Sequence, residues 1–153
     1  MDNNDIFRRI RYTFDFDDYK MMELFELTDH KVRRADVSAW LKKEDVSTFQ
    51  ELSDLSLAIF LNGFIIEKRG KREGPQPIPE KQINNNIILT KLKIALNLKS
   101  EDIQEMFKLI NKKISSHELS AFLRNPKKPQ YRPCNDQYLR NFLSAMQVKY
   151  HNK

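Results

Sequence analysis

The chain repeats itself. Asn3-Asn4-x-Ile6 recurs as Asn85-Asn86-x-Ile88, an offset of 82 residues (85 − 3). Without any gap, that offset pairs Glu23 with Glu105, Phe25 with Phe107 and Ser38-Ala39 with Ser120-Ala121. It then reaches Leu57/Leu139, Phe60/Phe142 and Leu61/Leu143, and conservative pairs such as Ile10/Leu92, Val37/Leu119 and Trp40/Phe122 fill the spaces. One register held through four apolar segments identifies a duplication, with copies at 3–69 and 85–151. Repetition constrains the fold more than any local motif, because every element must be made twice.

Between the copies, residues 70–84 read GKREGPQPIPEKQIN and hold two of the three glycines and three of the six prolines. Proline lacks an amide donor and restricts the residue before it, so an extended connector is expected. The predicted organisation is a first repeat at 1–69, a linker at 70–84 and a second repeat at 85–153.

Each copy reads as four helices. Ile6, Phe7, Ile10 and Phe14 follow the helical period, as do Ile88, Leu89, Leu92 and Leu96, with Asn4 and Asn86 as expected N-caps. A second helix is predicted from Asp18 to about Thr28, with a twin beginning at Ser100. The third spans roughly 34–43, and in the second copy Ser115 and Glu118 have capping-box spacing. Arg33 stands at the matching cap position of the first copy and makes a weaker start. The fourth, about 53–68, carries Leu57, Phe60, Leu61, Phe64 and Ile65 at i, i+3, i+4, i+7 and i+8. No stretch alternates like a strand. The expected class is all-α, a tandem duplication of a roughly four-helix unit with helix-turn-helix-like hairpins.

The strings NNNIILTKLKIAL, FLNGFIIEKRGK and DQYLRNFL, in that arrangement, resemble the bacterial YehS family, a duplicated family of unknown function. The resemblance covers essentially the whole chain and departs locally at Pro133 and Asn135. It implies a small cytoplasmic bacterial protein, and it brings no activity, cofactor or catalytic residue.

Composition agrees with that picture. Of 153 residues 40% are hydrophobic, enough for a core, and no 18-residue apolar run suggests a membrane span. The polar, acidic start MDNNDIF argues against a signal peptide, and the lone Cys134 against an internal disulfide, so a reducing cytoplasm is expected.

Candidate chemistry is sparse. His30, His117 and His151 are not spaced as metal ligands, and one cysteine cannot complete a tetrahedral zinc site. Cys134, next to Arg132 and a helix start, could be an activated thiolate only with a partner base, and none can be named. DFDD at 15–18 lacks the length, glycine and terminal glutamate of an EF-hand and reads as a capped turn. No glycine-rich phosphate loop is present. An enzyme is therefore not expected, nor a cofactor, a metal or a small-molecule substrate.

Charge is more informative. Residues 1–69 hold 11 Lys and Arg against 14 Asp and Glu, a net −3; the linker is +1; residues 85–153 hold 13 against 5, a net +8. Two copies of one unit thus differ by 11 charges, which suggests a division of labour. Lys91, Lys93, Lys112, Lys113, Ser116, Lys127, Lys128, Arg132 and Arg140 are the candidate nucleic-acid contacts, extended by Lys68, Arg69, Lys71 and Arg72. In the hairpin reading, Arg33, Arg34 and Asp36, or Ser115, Ser116 and His117, would face a groove, although no glycine marks the tight turn. Trp40 and Phe122 are expected in the core. Two readings stay open: a nucleic-acid-binding module, or a protein-interaction or self-association module in which acidic and basic repeats pair, in cis or in a homodimer.

Overall fold

The computed structural model describes residues 1–152. Its helices are α1 (Asn3–Thr13), α2 (Asp18–Glu26), α3 (Arg34–Leu41), α4 (Asp54–Arg69), α5 (Asn85–Ala95), α6 (Ser100–Lys108), α7 (Ser116–Leu123) and α8 (Asp136–Tyr150). No strand occurs among the described residues. The protein is all-α, and α5–α8 begin at the positions α1–α4 dictate through the 82-residue offset (85 − 3). Residues 70–84 contain no helix.

The helix starts show what the repeated residues do. Asp2 and Asn84 cap α1 and α5, accepting the N–H groups of Asp5 at 2.8 Å and Ile87 at 2.9 Å. Asn4 and Asn86, expected as the caps, lie inside these helices with their amides buried. Asn4 donates to the carbonyls of Trp40 and Gln50, both at 2.9 Å, and accepts from Leu52 N–H at 3.0 Å. Asn86 repeats the pattern with Phe122, Arg132 and Cys134 at 3.0, 2.8 and 2.9 Å. Each buried amide thereby fixes the connection between the third and fourth helices of its repeat. Ser115 and Glu118 form the expected capping box. Arg33 has no acceptor atom, so only the reciprocal half exists there: Asp36 accepts the Arg33 N–H at 3.0 Å.

The turns need no glycine because Asp and Asn fill the left-handed positions in pairs. Asp15 and Asn97 have φ of 53° and 54°, and Asp29 and Asn111 have 61° and 57°. Within DFDD, Asp17 caps α2 by accepting Lys20 N–H at 2.8 Å, and Asp18 pairs with Arg34 at 3.4 Å.

α1, α4, α5 and α8 form a ring of four packed helices, with α2 and α3 against α4 and α1, and α6 and α7 against α8 and α5. Two seams cross between repeats: α4 lies along α5, and α8 along α1. One apolar cluster runs through both repeats. α4 is at its centre, buried on every side from Leu57 to Phe64, as a helix enclosed all round must be. Repeat one is knitted by aromatics: Phe7 lies 4.7 Å from Phe60 and 6.0 Å from the half-buried Trp40, centroid to centroid. Phe122 is buried against Tyr138. Asp54 accepts the Asn3 amide at 2.7 Å and the Ile83 N–H at 3.1 Å, tying the entry to α5 onto the start of α4.

Gly63 permits the close approach of α2 to α4. A Cβ there would stand 1.8 Å from the Leu24 carbonyl oxygen, whereas the matching Ala145 is tolerated in repeat two. Gly63→Ala therefore should cost about 3 kcal/mol through backbone displacement. Asn86→Ala should cost about 3 kcal/mol by leaving the buried Cys134 N–H without its acceptor. Urea unfolding of each variant against the parent chain checks both values.

Candidate functional site

The region around α7 carries much of repeat two's positive charge, a net +5 (6 − 1) within residues 111–132. Residues 111–132 contain six cations (Lys112, Lys113, Arg124, Lys127, Lys128 and Arg132) and one acid, Glu118. All six cations are exposed. Lys112 and Lys113 precede α7, whereas Arg124, Lys127 and Lys128 follow it, so two basic clusters bracket one short helix. Ser116 and His117 are exposed on α7, and Arg124 donates to Ser120 at 2.9 Å, leaving hydroxyl-bearing side chains between the clusters.

The acid is turned inward. Glu118 accepts the Ser115 N–H and the Tyr138 hydroxyl, and these bonds hold its carboxyl below the ordinary range. These neutral donors fix the carboxylate in place and keep it ionised, so it subtracts one charge and leaves residues 111–132 at a net +5 (6 − 1). The loop after α7 is equally fixed: Arg132 donates its N–H to Ala121 O at 3.1 Å, and its carbonyl receives the buried Asn86 amide.

Repeat one has no such face. Residues 29–50 hold five cations (Lys31, Arg33, Arg34, Lys42 and Lys43) and four acids. Arg33 pairs with Asp36 at 2.9 Å, and Arg34 with Asp18 at 3.4 Å while lying over the Tyr19 ring. The groove-facing arginines expected of the first hairpin are therefore engaged with acids of their own repeat.

Three of the candidate contacts lie elsewhere. Lys91 is a correction: it is only 8% exposed, with its ammonium 2.6 Å from Asn62 Oδ1 and 3.1 Å from Glu80 Oε1, so it is no part of an open basic surface. Lys93 is half-buried on α5. Arg140 lies on α8 beside Arg8 and Arg9 in a groove along α1. The linker cluster is also divided. Lys68 stacks over Phe14 at 4.8 Å, whereas Arg69, Lys71 and Arg72 line a cleft of about 790 Å³ between α4, α5 and the linker. Arg124 borders the same cleft from the end of α7. Nothing in the sequence marks this cleft, because its lining comes from stretches between Leu27 and Tyr131 that only the packing of α2 on α4, α4 on α5 and α5 on α7 brings together.

The remaining reactive groups are structural. Cys134 is buried, and burial together with the Asp136 charge pushes its thiol up to about 12, which keeps it protonated and a poor nucleophile. His30 is exposed at the turn after α2, and His151 stacks on Tyr12 at 4.2 Å. Among the described residues no three His, Cys, Asp or Glu side chains are grouped to hold a metal ion, and no helix is long and apolar enough to cross a membrane.

The family model described as "Protein of unknown function (DUF1456)" matches residues 3–70 and again 85–151. The chain belongs to that family. Family membership is thus expressed twice, once per repeat. Its relative in Escherichia coli strain K12, the uncharacterized protein YehS, is 39% identical over 152 residues, covering 99% of this chain and 97% of that one. No solved structure matches.

Glu118 makes the electrostatics testable. A carboxyl held below its ordinary 4.5 contributes stability in full above that value and loses it as pH falls through the lowered folded value. Melting temperature measured against pH should therefore fall on the acid side, and Glu118→Gln should flatten that fall.

Proposed function

We propose that this protein is a non-enzymatic nucleic-acid-binding module whose contact surface is the α7 face of the second repeat. One observation carries the reading: six exposed cations surround α7, and the only acid among residues 111–132 is bonded internally to Tyr138 and Ser115. A helix of eight residues is about 12 Å long, close to the roughly 12 Å width of the B-DNA major groove. Lysines at either end can then meet phosphates on opposite strands while Ser116, His117 and Ser120 face the groove between them. In this reading α7 plays the part of the second helix of a helix-turn-helix hairpin, and the left-handed Asn111 stands in the connection where a glycine is usual.

Phosphate contacts of this kind supply affinity without sequence information, so the binding is expected to be salt-sensitive. The rival reading, self-association through paired acidic and basic repeats, has less behind it. The acidic and basic repeats already pack on each other within the chain along the α4–α5 and α1–α8 seams, so their pairing requires no second copy. A cytoplasmic setting suits a chain whose one thiol is buried and unpaired.

A mobility-shift titration with duplex DNA across a series of salt concentrations tests the reading. Each lysine–phosphate contact contributes about 0.9 to the slope of log affinity against log salt. Lys112→Glu/Lys113→Glu should reduce that slope by about 2 and weaken binding at least tenfold. The first-repeat control Arg33→Glu/Lys43→Glu should leave both unchanged. Absence of binding at low salt, or equal effects of the two variants, rejects the proposal.

A further inference from the structure

The cleft between α4, α5 and the linker is not explained by the α7 face, and it is built in three zones. Its floor is polar: Lys91 donates to Asn62 Oδ1 at 2.6 Å and lies 3.1 Å from Glu80 Oε1. The pairing is incomplete. Glu80 Oε1 is shielded from solvent yet has no aligned hydrogen bond, and the ammonium has three donors of which Asn62 takes one. Among the described residues, the Asn62 amide N–H groups reach no acceptor. The Lys91 ammonium is buried, whereas the Glu80 side chain is 34% exposed with only Oε1 shielded, so donors and an acceptor remain at the floor for a ligand to complete. Above the floor the walls are aliphatic, from Ile59, Ile66, Ile87 and Ile94, with Pro77 and Pro79 on the linker side. The cleft's exposed charged lining is mainly cationic, with Arg69, Lys71, Arg72 and Arg124 against the single exposed carboxylate of Asp29.

Duplication has made this cleft only once. Along the matching α8–α1 seam, Arg9 takes the place of Lys91 and Ser144 that of Asn62, meeting at 3.3 Å. No segment equivalent to the linker stands beside that pair within the repeats, because residues 70–84 occur once in the chain.

The geometry points to a single nucleotide as the occupant. The donors and acceptors of the floor match the hydrogen-bonding edge of a base, the aliphatic slot its faces, and the cationic lining its phosphate. The volume of about 790 Å³ is ample for one nucleotide. An alkyl carboxylate would seat its apolar tail on Lys91 and Glu80, and inorganic phosphate would leave the aliphatic walls uncovered. The nucleotide can come from two sources: free in solution, or an unstacked residue of a bound strand. Only the second source rests on the α7 reading.

Calorimetry with the four ribonucleoside monophosphates, inorganic phosphate and a short single-stranded oligonucleotide tests this on the full chain. The half-exposed Ile94→Trp fills the slot, and the exposed pair Arg69→Ala/Arg124→Ala strips the cationic lining without disturbing the core. If the source is free nucleotide, at least one monophosphate binds. Arg69→Ala/Arg124→Ala then weakens it about tenfold or more, Ile94→Trp abolishes it, and Lys112→Glu/Lys113→Glu leaves it unchanged. If the source is a strand, only the oligonucleotide binds, and Ile94→Trp weakens it about tenfold. The inference is overturned if no probe binds, if Ile94→Trp binds every probe as the parent does, or if inorganic phosphate displaces the monophosphate at equal concentration. Loss of oligonucleotide binding in Lys112→Glu/Lys113→Glu, with monophosphate binding intact, separates this site from the α7 face.

Discussion

The buried amides of Asn4 and Asn86 are the constraint on which the rest depends. Each side chain uses two donors and one acceptor to hold the chain on either side of the connection between its third and fourth helices. That connection has no regular ladder of its own, and its backbone groups would be costly to bury unpaired. Once it is fixed, the fourth helix is aimed across the bundle, and the two seams between repeats follow. In repeat two the same amide fixes Arg132 and the basic loop leading from α7. The core and the candidate contact face thus share one anchor.

Duplication supplies two of everything, and function is best sought where the copies differ. The scaffold is largely indifferent to copy: left-handed turn residues and buried amides recur at matching positions, as do the caps of the first and fourth helices, whereas Arg33 and Lys99 lack the side-chain caps of their twins Ser115 and Asp17. Two larger features are not shared. The stretch around α7 carries six cations and one inward acid, whereas its counterpart around α3 is close to neutral and internally paired. The linker occurs once, and with it a cleft that brings Glu80 to Lys91. The first asymmetry lies in the second repeat and the second at the seam between repeats, and Arg124 borders the cleft while belonging to the basic face.

Periodicity and repetition made the helices and the all-α class legible, because apolar spacing and the 82-residue register (85 − 3) act locally and twice. The role of Asn4 and Asn86 was not legible. An Asn near a helix start looks like a cap, and only the fold reveals that Asp2 and Asn84 fill that role while the repeated pair reaches backbone groups more than 35 residues away. A cue was present, since Asp2 and Asn84 directly precede the Asn pairs. Lys91 shows the other limit. Its neighbours Asn62 and Glu80 lie 29 and 11 residues away in sequence, so charge counting placed on the surface a lysine that packing buries. The cluster around α7 was readable because Lys112, Lys113, Lys127 and Lys128 flank a helix that periodicity had already located.

The central claim is that a scaffold made twice carries its contact face once. Backbone amide chemical-shift mapping, with a short DNA duplex titrated into the labelled protein, tests it most directly because both repeats are seen in one experiment. The account predicts shifts concentrated in 111–132, with the matching residues 29–50 unmoved. Equal perturbation of both stretches, or shifts confined to the first repeat, would contradict it.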